Sequence, residues 1–310
     1  MNARISRRQF MTGLAATAVG SVCLPRMTWA ASGAEPASTI YVVHGSDPGR
    51  MLAAGIARMG GWKSFVKPRK NVVLKPNAAW ASLPEQGGNT SPALVECCIR
   101  ECLRSGAAAV VAPENSCSPA KDAFERSGIG AAVERAGGRM YSPERRQFQR
   151  VAIPRGVNLK EADVVRDVLE APCLINMPVA KSHGGATLTL SMKNWMGSVS
   201  DRGYWHAHNL HQCIADFSTF IKPSLIIVDA LRIMTTKGPQ GPGTLAYPNQ
   251  LVFGTDPVAV DAYAATLFGK QPFDVLYIKL AHAMGIGCGD LKQVRVVHCS
   301  CSTEHQSNAG

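Results

Sequence analysis

From Ser38 onward, short runs of consecutive apolar residues alternate with longer amphipathic stretches. Residues 40–43, 71–74, 108–111, 173–176, 225–228 and 251–253 read as strands, and 294–297 as a last, edge strand. Helices are predicted over about 50–59, from Ser91-Pro92 to Gly106, over 120–136 closed by Gly137-Gly138, and from Pro257 to about Leu267. Ser91 before Pro92 has the form of a helix start, because proline lacks only the N–H that the first turn leaves unused. Strands that are apolar throughout must be covered on both sides. The expected fold is therefore α/β, a mostly parallel sheet with helices on both faces, in a single large domain. That domain is expected to span 38–298, with 31–37 as a linker and 299–310 as a disordered tail. Two Pro/Gly-rich segments, 81–90 and 236–248, read as active-site loops.

The first thirty residues follow a different logic. Ser6-Arg7-Arg8-Gln9-Phe10-Met11 resembles the twin-arginine export signal, and a mildly apolar stretch to Leu24 and small residues around Thr28-Trp29-Ala30-Ala31 complete the pattern. Residues 1–30 are expected to be a signal peptide read by the twin-arginine translocation machinery. The resemblance implies export of an already folded protein to the periplasm.

Composition narrows the remainder. With 46% hydrophobic and 18% charged residues, 29 glycines and 19 prolines among 310 residues, neither a collagen-like nor a disordered chain fits. The net charge is +11, and four of the positives (Arg4, Arg7, Arg8, Arg26) fall in the acid-free first thirty residues. The remaining excess favours anionic ligands, but it forms no basic stripe, so nucleic acid is not an expected partner. No apolar run is long enough to span a bilayer, so no stable membrane insertion is expected after processing. Once Cys23 leaves with the signal, nine cysteines remain, an odd number that cannot all pair within one chain. Cys98 and Cys102, four apart on a helical face, read as core thiols rather than ligands. No C-x₂-C occurs, so a ferredoxin-type cluster is not expected. His298-Cys299-Ser300-Cys301 with His305 supplies ligand types only at the chain's end.

Candidate chemistry gathers where strands end. Lys75 and Asn77 follow the second strand, Glu114 the third, and Asn176 then Lys181 and His183 the fourth. Asp229 closes the fifth and Asp256 the sixth. Each residue alone has an ordinary use in a turn or cap, but open parallel sheets bind ligands just past these strand ends. The segment Pro178–Gly197, PVAKSHGGATLTLSMKNWMG, adds Gly184-Gly185 for a sharp bend and brings Lys193-Asn194 back toward Lys181 and His183. His206, His208 and His211 follow. The spacing of His208 and His211 would place both on one helix face, as metal ligands, a proton relay or simply a solvated helix start.

The strings VLKPN from Val73, LINMPVAKSH from Leu174, LSMKNWMG from Leu190 and DPVAVDA from Asp256 together resemble the family numbered 362 among domains of unknown function. The resemblance covers about residues 40–290. Many members carry an inserted ferredoxin-like cysteine cluster that this chain lacks. A fainter likeness joins His183, Gly184-Gly185 and Lys193, ten positions after His183, to the nickel-pincer lactate racemases. In those enzymes a lysine tethers the cofactor, a histidine moves the substrate proton and a downstream histidine ligates nickel. That likeness implies a metal ion or metal-bearing organic cofactor here.

The expectation is an exported cofactor- or metal-dependent enzyme acting on a small anionic substrate by acid/base chemistry. His183 would be the acid/base and Lys193 the anchor or nucleophile. Lys75, Asn77, Glu114, Asn176, Lys181, Asn194, Asp229 and Asp256 would line the ligand site, with His208 and His211 as metal ligands. The alternatives are a periplasmic metal- or anion-binding protein and an iron–sulfur or electron-transfer accessory protein.

Overall fold

The computed structural model describes residues 36–301. The twin-arginine segment, Cys23 and His305 lie outside them. The chain opens with β1 (Ser38–His44) and α1 (Pro48–Arg58). Asp47 caps α1 by accepting from Arg50 N at 2.7 Å. β2 (Val72–Pro76), α2 (Pro92–Arg104) and β3 (Val110–Pro113) follow. The single helix expected over 120–136 is two short ones, α3 (Ala120–Arg126) and α4 (Ile129–Arg135). The break is at Ser127-Gly128, where Gly128 takes φ +70°, a conformation that a side chain disfavours.

β4 (Arg139–Tyr141) completes one edge of the sheet, while β5 (Phe148–Ala152) and β6 (Glu161–Val165) form a separate antiparallel ribbon. After α5 (Arg166–Leu169) and β7 (Cys173–Met177), the hairpin of β8 (Val179–His183) and β9 (Thr187–Thr189) leads into α6 (Ser191–Asn194). α7 (Arg202–Ala207), α8 (Leu210–Phe220), β10 (Leu225–Met234), β11 (Leu245–Ala246) and β12 (Gln250–Gly254) come next. The described chain closes with α9 (Pro257–Thr266), α10 (Leu276–Ala283) and β13 (Val294–Ser300).

The main path of the sheet runs β13-β1-β12-β10-β7-β2-β3-β4. Along it only β12 opposes its neighbours. β12 follows β10 through a loop with no crossover helix, and that connection returns the chain antiparallel. Alternate residues of each strand enter two cores. Ile40, Val42, Ile226 and Val228 face the layer of α8, α9 and α10. Val43, Leu225 and Ile227 face the layer of α1, α2 and α4, which also buries Cys98, Cys102 and Cys173. The α/β expectation therefore holds, with helices on both faces. The edge strand extends through Ser300 by pairing with β1, so residues 299 and 300 belong to the sheet rather than to a tail. Among the described residues, no helix is long and apolar enough to cross a membrane.

Candidate functional site

Past the carboxyl ends of β2, β3 and β8, a hollow of about 280 Å³ is lined by Asn77, Trp80, Glu114, Cys117, Lys181, His183, Thr189, Lys193, Asn194, Arg202, His206 and Pro239, among others. Topology creates it. β2, β7 and β3 are parallel neighbours, so their exits share one rim, and the β8–β9 hairpin folds over that rim to deliver α6.

Lys75 does not reach out for a ligand. Its side chain is fully buried, and Nζ pairs with Glu114 Oε2 at 2.8 Å and donates to the Pro76 carbonyl at 2.7 Å. Burial lowers its pKa while Glu114 opposes the shift. The pair is internally neutralised, and Glu114 Oε2 also accepts from Ala78 N at 2.9 Å. Glu114 therefore forms the floor of the hollow, with Lys75 buried beneath it and not among the lining residues, and the sequence-based role of Lys75 as an anion ligand does not hold.

Above that floor, three asparagines form a directed chain. Asn176 Nδ2 donates to Ser191 O, Asn194 Nδ2 to Asn176 Oδ1 at 2.8 Å, and Asn77 Nδ2 to Asn194 Oδ1 at 3.0 Å. With its amide so oriented, Asn77 Oδ1 accepts from Lys181 Nζ at 3.0 Å. Lys181 Nζ also donates to Gly88 O. Two of its hydrogens are thus committed, and its remaining position carries a third proton or a lone pair. Burial, reinforced by the charge of Lys193, lowers the Lys181 pKa to about 7.

Lys193 presents the opposite case. Its residue is 8% exposed, and among the described residues its ammonium meets only Met196 Sδ, at 3.5 Å. Burial lowers its pKa to about 8. Arg202 is held at the same rim by the carbonyls of Asn115 and Ser116. Among the described residues, no carboxylate comes within ion-pair distance of Lys181, Lys193 or Arg202. Thr189 Oγ1, also lining the hollow, is buried without a partner. The hollow thus gathers three cations without an ion-pair partner and one buried hydroxyl without a hydrogen-bond partner.

His183 departs from its sequence-based role as acid/base. Its Nδ1 accepts from Gly185 N at 3.1 Å and Ala186 N at 3.0 Å, because the Gly184-Gly185 bend turns both amides back onto the ring. A proton on Nδ1 would break both bonds. Burial first, then the charge of Lys193, lowers its pKa to about 3. At neutral pH the ring is therefore uncharged with its hydrogen on Nε2, a donor rather than a base. His206 stacks on it with ring centroids 6.2 Å apart.

Other expected site residues serve the framework. Asp256 caps α9 through Val258 N and Ala259 N and accepts from Cys288 N at 2.9 Å. Asp229 lies within β10 rather than at its end, and accepts from Ser91 N and Leu231 N. Neither lines the hollow, so the expectation that Lys75, His183, Lys193 and Asp256 share a pocket holds for His183 and Lys193 and fails for Lys75 and Asp256. His208 and His211 do not share a helix face. α7 ends at Ala207 and α8 begins after Asn209, which takes φ +65° and caps Gln212 N. His208 stacks on Tyr204 and His211 on Tyr277. Among the described residues, no three His, Cys, Asp or Glu side chains converge to hold a metal ion. The donor set implied by the racemase likeness is not assembled by these histidines.

Cys117, Arg202, His206, Trp80 and Thr189 were not selected from the sequence. Cys117 follows Glu114 by three positions in a turn already singled out, and His206 belongs to the noted histidine run. Nothing local marks Arg202.

A family model described as "Domain of unknown function (DUF362)" matches residues 72–266, a range that contains every lining residue of the hollow. A curated relative, Thylakoid-associated protein sll1697 of Synechocystis sp., is 25% identical over 197 residues, covering 58% of this chain and 58% of its own. This chain therefore spans less than two thirds of that relative's length. A crystal structure of a Thermotoga maritima protein matches with a TM-score of 0.45 and 12% identity, over 74% of this chain and 60% of that one.

Proposed function

The chain belongs to the DUF362 family, and we propose that its hollow is the active site of an enzyme that moves a proton on a small carboxylate- or phosphate-bearing substrate. One observation carries the reading: Lys193, nine-tenths buried, has a sulfur as its single described partner. Keeping an ammonium in that place is costly unless a ligand supplies the missing charge. Lys193 and Arg202 would hold the anionic group. Lys181, oriented by the asparagine chain, would take the proton in its amine form. His183 Nε2–H would donate a hydrogen bond to an oxygen on which charge develops. The first thirty residues support export by the twin-arginine route as part of the same proposal.

The test is calorimetric titration with inorganic phosphate and with a panel of 2-oxo and 2-hydroxy carboxylates, followed by proton NMR of solvent deuterium entering each one bound. Lys193→Met should weaken phosphate about 10- to 100-fold, the size of a lost charge-assisted hydrogen bond. It should also leave the melting temperature unchanged or raised, since an uncompensated buried charge is gone. Equal affinity in Lys193→Met and wild type refutes the anion site. Tight binding without exchange into any bound compound refutes proton transfer and leaves a binding protein.

A further inference from the structure

The hollow contains a thiol that the proposed proton transfer does not use. Cys117 lies just beyond β3, its backbone N–H bonded to Ala79 O at 2.8 Å, and its side chain lines the hollow beside Lys181, Lys193 and Arg202. The nine described cysteines are all free thiols, and Cys117 is the exposed one. The other eight are buried or half-buried, and none lines this hollow. An exposed thiol alone indicates little. Two further groups point to a ligand in the same space: the Lys193 ammonium without an oxygen partner, and the buried, unpartnered Thr189 Oγ1.

We propose that Cys117 is a covalent nucleophile, directed at the carbonyl carbon of a small aldehyde or ketone whose carboxylate or phosphate rests on Lys193. The inference depends on the anion-site reading and adds the substrate class to it. In the step, the thiol proton passes to the Lys181 amine and sulfur attacks the carbonyl carbon. The C–S bond forms as the C=O π pair moves onto oxygen, where His183 Nε2–H donates a hydrogen bond. The oxygen then takes the proton back from Lys181, giving a thiohemiacetal. Net, S–H has added across C=O, with no oxidant, reductant or leaving group. The fixed His183 donor meets the negative charge where it develops on the substrate oxygen.

Three measurements test this together on the mature protein. Cys117 is alkylated with iodoacetate and, separately, iodoacetamide, and its rates are read by peptide mass mapping against the urea-unfolded chain. Glyoxylate labelled with carbon-13 at the aldehyde carbon is added, and its spectrum compared with that of Cys117→Ser. Phosphate binding is measured on both proteins. The expected results are a preference of Cys117 for the anionic reagent raised roughly tenfold or more over the unfolded chain, as an adjacent cation imposes, its loss in Lys193→Met, and a thiohemiacetal resonance absent from Cys117→Ser. Iodoacetate selectivity equal to that of the unfolded chain, or identical glyoxylate spectra, overturns the nucleophile. If that happens while phosphate binds both proteins, the anion site survives on its own. Failure of phosphate to bind wild type removes both.

Discussion

Gly197 offers a sharp test of how the floor of the hollow is built. A Cβ placed there would overlap Glu114 Oε1 and lie 2.8 Å from Lys75 Nζ. Gly197 is not in the left-handed region, so alanine brings steric conflict without backbone strain. Glu114 is 1% exposed, and the space open to it is the hollow that it lines, away from Lys75. Gly197→Ala should therefore force Glu114 off Lys75. Separating the partners of a buried pair costs about 3–5 kcal/mol, because each charge is left without its counter-charge. A domain of this kind has about 5–15 kcal/mol in total. The expected fall in melting temperature is about 6–20 °C, at roughly 2–4 °C per kcal/mol. Gly184→Ala is the control. Nothing lies within 4 Å of a Cβ there, and its backbone is equally unstrained, so its change should stay within about 0.5 kcal/mol. Urea unfolding of the two variants, of Glu114→Ala and of Glu114→Ala with Gly197→Ala gives the decisive comparison. If the conflict acts through the carboxylate, adding Gly197→Ala to Glu114→Ala costs no more than about 1 kcal/mol. Additive costs, or an unperturbed Gly197→Ala, would refute the reasoning.

The two lysines set a pH window. Lys181 is a base only as pH rises through about 7, and Lys193 holds an anion as a cation only below about 8, so turnover should peak between those values and fall on both sides. A rate still climbing at pH 9 would remove Lys193 from the anion's binding. Asp256→Ala should lower stability by about 1–2 kcal/mol through the lost cap of α9, with phosphate affinity by calorimetry unchanged. A tenfold loss of affinity at unchanged fold would return Asp256 to the site.

The fold was legible wherever a feature is local. Continuous apolar runs gave β1, β2, β3, β7, β10, β12 and β13, whereas β4, β5, β6, β8, β9 and β11 are too short or too polar to carry such a run, and Ser91-Pro92 and Asp256-Pro257 marked helix starts that the structure retains. Lys181, His183, Lys193, Asn77, Asn194 and Glu114 do reach one hollow, because parallel strands place their exits along one rim. What each does there depends on partners that the sequence does not bring together. Lys75 is neutralised by a glutamate 39 residues away. The tautomer of His183 is set by two amides whose direction depends on the Gly184-Gly185 bend. His208 and His211 looked paired only on the assumption of one continuous helix, which Asn209 interrupts.

The four strings that carry the family resemblance make physical sense as one hydrogen-bonded unit. Asp261, from the string at 256–262, accepts from Ser191 N and Met192 N at 2.8 and 3.0 Å, and so holds the start of α6. α6 presents Lys193 to the hollow and carries Asn194, which donates to Asn176 and to the carbonyl of Lys75. Asn194 in turn receives Asn77, and Asn77 orients Lys181. Each string therefore supplies a partner that another string cannot do without. A change at Asp261, outside the hollow, displaces the helix bearing Lys193. A change at Asn176 frees the amide that fixes Asn194, and the disturbance passes to Lys181. The chain of amides runs in one direction, every Oδ1 accepting from the next residue, so reversing any one of these buried amides would set donor against donor. The cationic character of the hollow and the orientation of its proposed base are in this way properties of the whole assembly rather than of Lys181 and Lys193 themselves.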